Sequence, residues 1–179
     1  MDLLLGVVHC EEFVDDVVRV ISKRYPQGIE SLLLEIPSNW EEIKANYEPF
    51  EYFFLELERY YREKGTRIIY GDLPLDSSNP RVWWQDMFDW ILAHKRDKSI
   101  IKNIKEHNPQ VVVLGKTHAN YVKRRFPDVP YIAFDVKPHD KVDALMLKLL
   151  GKSYRPDEVI GLVHRLPREY YLRRYHIVE

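Results

Sequence analysis

Five short apolar runs recur along the chain: Leu3-Leu4-Leu5, Leu32-Leu33-Leu34, Ile68-Ile69, Val111-Val112-Val113-Leu114 and Tyr131-Ile132-Ala133-Phe134. Amphipathic, charged stretches of helical period separate them. A strand that is apolar on both faces has to be covered on both sides, which is how strands of a parallel sheet with helices above and below are built. The expected fold is therefore α/β: a three-layer, mostly parallel sheet of about five strands with helices on both faces.

The chain fits one domain, with 179 residues of which 45% are hydrophobic and 31% charged, enough to bury a single sizeable core. Residues 1–135 form its core and 136–179 a helical C-terminal extension. Strand one runs from about Leu3 to Val8 and leads into a helix with Phe13, Val17, Val20 and Ile21 on one face. After strand two, Ser31 to Ile36, the S-x-x-E pattern of Ser38 and Glu41 reads as a capping box. It opens a helix through Trp40, Ile43, Phe54, Leu57 and Tyr61, kinked at Pro49 and ended by Gly65. Strand three is Arg67 to Tyr70. Asn79-Pro80 starts a long helix to about Glu106, strand four is Gln110 to Leu114, a short helix reaches Phe126, and strand five is Pro130 to Phe134. Helices are expected at Val142–Leu150 and Asp157–Leu166.

Two of the strands end in the same pattern, Gly6-Val7-Val8-His9 and Gly115-Lys116-Thr117-His118. Seven Gly and seven His give roughly 0.3 such matches by chance, so position rather than count carries the signal. A third copy, Gly161 to His164, has no strand before it and is set aside. In the first two, Gly is expected to let the chain turn out of the strand while His points back over the strand end. Ligands of open α/β sheets bind along that carboxyl edge. With the common strand order 3-2-1-4-5, strands one and four are neighbours, and His9 and His118 converge on one pocket.

Other polar residues reach the same edge. Glu35 closes strand two inside an apolar run, where an unpaired charge is costly. Asp72 follows strand three and Asp135 follows strand five, positions that helix capping or solvated loop charge also explain. On the long helix, His94 and Asp97 interrupt an apolar line through Trp90, Ile101 and Ile104. A hydrogen-bonded pair between them is one reading. The other sends Arg96 and Asp97 to the pocket, Arg96 to bind a substrate carboxylate or a developing oxyanion and Asp97 to orient a histidine or a metal-bound water. Gly115-Lys116-Thr117 lacks the preceding glycine of a phosphate-binding loop, because position 110 is Gln. Lys116 stays a candidate anion contact. Cys10 reads as a half-buried thiol rather than a nucleophile.

The ordered set of Gly6 and His9, Glu35, Arg96 and Asp97, then Gly115 and His118 resembles the TraB/TIKI family, which is grouped with erythromycin esterase and the ChaN haem-binding proteins. The resemblance implies a metal-dependent hydrolase acting on a peptide, ester or lactone, with histidines and glutamate at its centre. The spacer Lys116-Thr117 departs from the small apolar residues expected there. Two imidazoles and a carboxylate would suit a divalent ion such as Mn, Co or Zn. His9, His118 and Glu35 are the expected metal ligands and Glu35, Arg96 and Asp97 the expected catalytic groups. Gly6, Gly115, Lys116, Asp72 and His94 are the expected supporting or substrate-binding residues. The alternative is a noncatalytic ChaN-like protein binding haem or another small ligand, with His9, His118 or His94 as an axial donor.

The resemblance implies a small-molecule or peptide substrate as the partner, and composition argues against other classes. The net charge of -1 gives no drive toward nucleic acid, and Lys123-Arg124-Arg125 is too short to supply one. One cysteine precludes an internal disulfide, and with no run of eighteen apolar residues the expected location is the cytoplasm, off the membrane. The crowded aromatics read as core facing core, with an apolar ligand pocket or a homodimer contact as alternatives.

Overall fold

The computed structural model of the chain describes residues 1–7, 13–44, 52–74, 90–138 and 175–178. Five strands, β1 (Leu3–Val7), β2 (Ser31–Pro37), β3 (Arg67–Asp72), β4 (Val111–Gly115) and β5 (Tyr131–Ala133), form one all-parallel sheet in the order β3-β2-β4-β1-β5. The expected α/β architecture is present. The expected order is not: β1 and β4 are neighbours, but β4 lies between β1 and β2, so β2 pairs with β4 through Leu32↔Val111, Leu33↔Val112 and Leu34↔Val113.

Side chains alternate across the sheet and split the core in two. Leu3, Leu5, Leu32, Leu34, Val111 and Val113 face α1 (Val14–Arg24), α2 (Trp40–Ile43) and α3 (Tyr52–Glu63), burying Val17, Ile21, Trp40, Phe54 and Leu57. Leu4, Leu33, Val112 and Leu114 face α4 (Trp90–His107) and α5 (Lys116–Arg125), burying Ile100, Ile104, Ala119 and Val122. The chain steps one way along the sheet from β1 to β2 to β3 and back again from β3 to β4 to β5. Crossovers of one hand then put α1 to α3 on one face and α4 and α5 on the other.

Local chemistry explains several ends. Gly65 adopts φ +79° directly after α3, the left-handed conformation that stops a helix at little cost. The capping box does not form: Asn39 is the N-cap of α2 and no side chain caps it. Glu41 instead accepts from the Tyr70 hydroxyl at 2.6 Å and pairs with Lys44 and Arg62. Lys123 donates to the carbonyl oxygens of Pro127 and Val129 beyond the end of α5, so one member of the basic cluster is an internal tie.

Within the expected helical extension, the described residues are strands. β6 (Asp135–Pro138) and β7 (Tyr175–Val178) pair antiparallel as a separate two-stranded sheet. The helices expected at 142–150 and 157–166, the Pro49 kink, the Asn79-Pro80 cap, Cys10 and the third Gly-x-x-His lie outside the described residues, as does His9. Among the described residues, no helix is long and apolar enough to cross a membrane.

Candidate functional site

The polar residues cluster on the α4/α5 face of the sheet, at the carboxyl ends of β2, β3 and β4. Glu35 arrives there by side-chain alternation, since Leu32, Leu34 and Ile36 face α1 to α3 while Leu33 faces α4 and α5. Leu34 pairs with Tyr70 and Pro37 with Asp72, so three steps along β2 match two along β3. Glu35 is 2% exposed, and its Oε2 accepts the Gly115 backbone N–H at 2.7 Å. That contact exists because β4, not β1, lies beside β2.

α4 supplies the partners. Arg96 Nε donates to Asp72 at 3.0 and 2.9 Å, and Nη2 bridges Asp72 Oδ2 at 2.8 Å and Glu35 Oε1 at 2.5 Å. Asp72 also accepts the Leu73 N–H at 2.7 Å. Asp97, the next residue of α4, points to α5: its Oδ1 lies 2.7 Å from His118 Nδ1. The opposite ring nitrogen, Nε2, stands 3.5 Å from Glu35 Oε1. With Nδ1–H donated to Asp97, Nε2 of the neutral ring carries the lone pair.

Electrostatics favour a cation at this position. Burial works against the charged imidazolium of His118, but the neighbouring Glu35 carboxylate and the hydrogen bond to Asp97 outweigh it, with Arg96 opposing, so the pKa is raised. The five groups joined by these contacts comprise three carboxylates against one guanidinium and one imidazole.

Gly115 ends β4 and Lys116 begins α5, with no intervening loop, so Gly115-Lys116-Thr117 has no phosphate-wrapping segment. Neither motif glycine makes the sharp turn expected of it. Gly115 has φ -53° and ψ 141°, open to any residue. Gly6 sits within β1, where an added Cβ would meet Tyr131 Oη at 2.5 Å and Ala119 Cβ at 3.1 Å. Its lack of a side chain lets α5 approach the sheet closely, which sets the height of His118.

The structure thus brings together Glu35, Asp72, Arg96, Asp97, Gly115 and His118. His94 does not bond Asp97; it packs edge-on against Tyr121 with ring centroids 6.2 Å apart. Lys116 is half-buried in the first turn of α5. The β1 side is fixed as far as Val7, which pairs with Gly115. Sequence reasoning missed Asn103, whose side chain donates to the Gly71 carbonyl at 3.1 Å and ties α4 to the end of β3. The signal was available: Asn103 lies two turns after Arg96, on the same helical face. Among the described residues, no group of three or more His, Cys, Asp and Glu side chains is arranged to hold a metal ion. No family model, curated protein or solved structure matches the chain.

Proposed function

We propose that the strand-edge cluster is the centre of a metal-dependent hydrolase, with His118 and Glu35 as two of the ion's ligands and His9 as a third. The observation that carries this reading is the placement of His118 Nε2, held by Asp97 behind it and 3.5 Å from Glu35 Oε1. Two donors on one tetrahedral ion, each bonded at about 2.1 Å, stand about 3.4 Å apart. Charge supports the same reading. With His118 neutral, the buried Glu35 and Asp72 and the partly buried Asp97 against one guanidinium leave two negative charges for a divalent cation to offset. β1 ends at Val7, which pairs with Gly115 at the start of α5, and His9 follows two positions later in the sequence.

A divalent ion held there would acidify a bound water or polarise a carbonyl. The chain's own contributions are positional. Asp97 fixes the tautomer and plane of His118, and the Gly115 N–H fixes Glu35. Arg96 is turned toward Asp72 and Glu35, so its part is to hold the carboxylates rather than to meet a developing oxyanion. A peptide, ester or lactone carbonyl is the substrate class.

The test is metal content after purification without chelator, compared for wild type, His9→Ala, His118→Ala and Glu35→Gln, with cobalt-dependent hydrolysis of p-nitrophenyl acetate as the activity probe. The expected result is metal in wild type, its loss from the variants, and hydrolysis only when metal is present. Equal metal in all four proteins would sink the proposal.

A further inference from the structure

A guanidinium forks most strongly onto a carboxylate through two nitrogens. In Arg96 the Nε and Nη2 edge lies on Asp72, and Nη2 reaches across to Glu35 Oε1. Glu35 keeps its other oxygen on the Gly115 N–H, the backbone group from which α5 starts. Both carboxylates and Arg96 are largely buried, so neither oxygen pair can be replaced cheaply by water.

We propose that Asp72 is a positioning residue whose task is to hold Arg96 to a single oxygen of Glu35. Without its charge, the fork pivots onto Glu35, takes both carboxylate oxygens, and pulls Oε2 from Gly115. Glu35 is then neutralised by an internal cation in place of an external one. Asp72 touches neither substrate nor ion; it acts through Arg96, and Asn103 holds the end of β3 that carries it. This inference rests on the proposed role of Glu35 for its functional meaning, while the geometry it predicts is present or absent whether or not any metal binds.

The epistasis has a definite sign. In Asp72→Asn, the Gly115 amide loses its charged acceptor. In the double variant Asp72→Asn/Arg96→Gln, no guanidinium remains to capture Glu35, and the bond to Gly115 returns. A residue that merely supported the fold would not be rescued by removing its own partner. The readout is amide hydrogen exchange and the amide proton shift of Gly115 in the full, 15N-labelled, metal-free chain. Expected are exchange at least about tenfold faster in Asp72→Asn, as loss of a charge-assisted bond gives, with an upfield shift, then recovery in the double variant and retention in Asp72→Glu. Unchanged exchange in Asp72→Asn, or equally fast exchange in the double variant, overturns the proposal. Cobalt titration of the same proteins separates the two claims. If wild type takes up no cobalt, the hydrolase reading fails, while the amide data still decide the role of Asp72.

Discussion

Replacing Gly6 with alanine tests whether this glycine serves a turn or a close approach. An alanine Cβ would lie 2.5 Å from Tyr131 Oη, 3.0 Å from Tyr131 Cε2 and 3.1 Å from Ala119 Cβ. Ala119 is fully buried on α5, so it yields only if the helix moves. The Tyr131 ring yields only by giving up its 2.8 Å hydrogen bond to Asn120. Overpacking of this kind costs about 1–3 kcal/mol, and removing a glycine's backbone freedom returns about 0.4–1 kcal/mol. The net is a destabilisation of about 1 kcal/mol. For a chain of 179 residues, that lowers the thermal midpoint by about 2–4 °C. Urea denaturation of Gly6→Ala measures it directly, and repeating the substitution in a Tyr131→Ala background isolates the cause. With the ring gone, the cost should fall by about 1 kcal/mol. An equal cost in both backgrounds would refute crowding by Tyr131 as the reason for Gly6, and a stabilised single variant would refute the close approach altogether.

The raised pKa of His118 means its stabilising contribution is fully present below the unfolded value, about 6.5, and is lost as pH rises through the higher folded value. In chelator, the stability difference between wild type and His118→Gln should shrink across that window; a difference that is flat or grows with pH contradicts the network. Asp97→Asn removes the charged partner of Nδ1 and should weaken cobalt binding about 10- to 100-fold, measured by titration of the visible cobalt bands. Arg96→Ala leaves Glu35 and Asp72 buried without their guanidinium and should cost about 3–5 kcal/mol in urea denaturation; a cost below about 1 kcal/mol would place those carboxylates in contact with water. A haemin titration should give no saturable Soret shift that depends on His118, because its ring is buried with Nδ1 on Asp97 and Nε2 beside Glu35; such a shift, lost in His118→Ala, would favour the haem-binding alternative.

Much of the architecture was legible because it depends on local pattern. Apolar runs with no polar face require cover on both sides, and this fixed β1 to β5 and the helices between them. Gly65 was legible as a helix stop because its left-handed φ is a local property. The capping box failed for a tertiary reason: Tyr70, Lys44 and Arg62 draw Glu41 away from the backbone it would have capped. β6 and β7 escaped notice because each is four residues long and they pair across more than thirty positions, where no local period reveals a partner.

What the residues alone determined is the set of polar groups at the carboxyl edge: Glu35 and Asp72 at the ends of apolar strands, and His118 three residues past one. Side-chain period and strand length decide that much. Which groups meet was decided by strand order. Only with β4 between β1 and β2 does Glu35 reach the Gly115 amide and His118. The division of α4 between Arg96 toward β3 and Asp97 toward α5 likewise follows from the helix lying over both. Contacts between segments twenty to eighty residues apart depend on how layers pack, and a periodicity read along the chain carries no information about that choice.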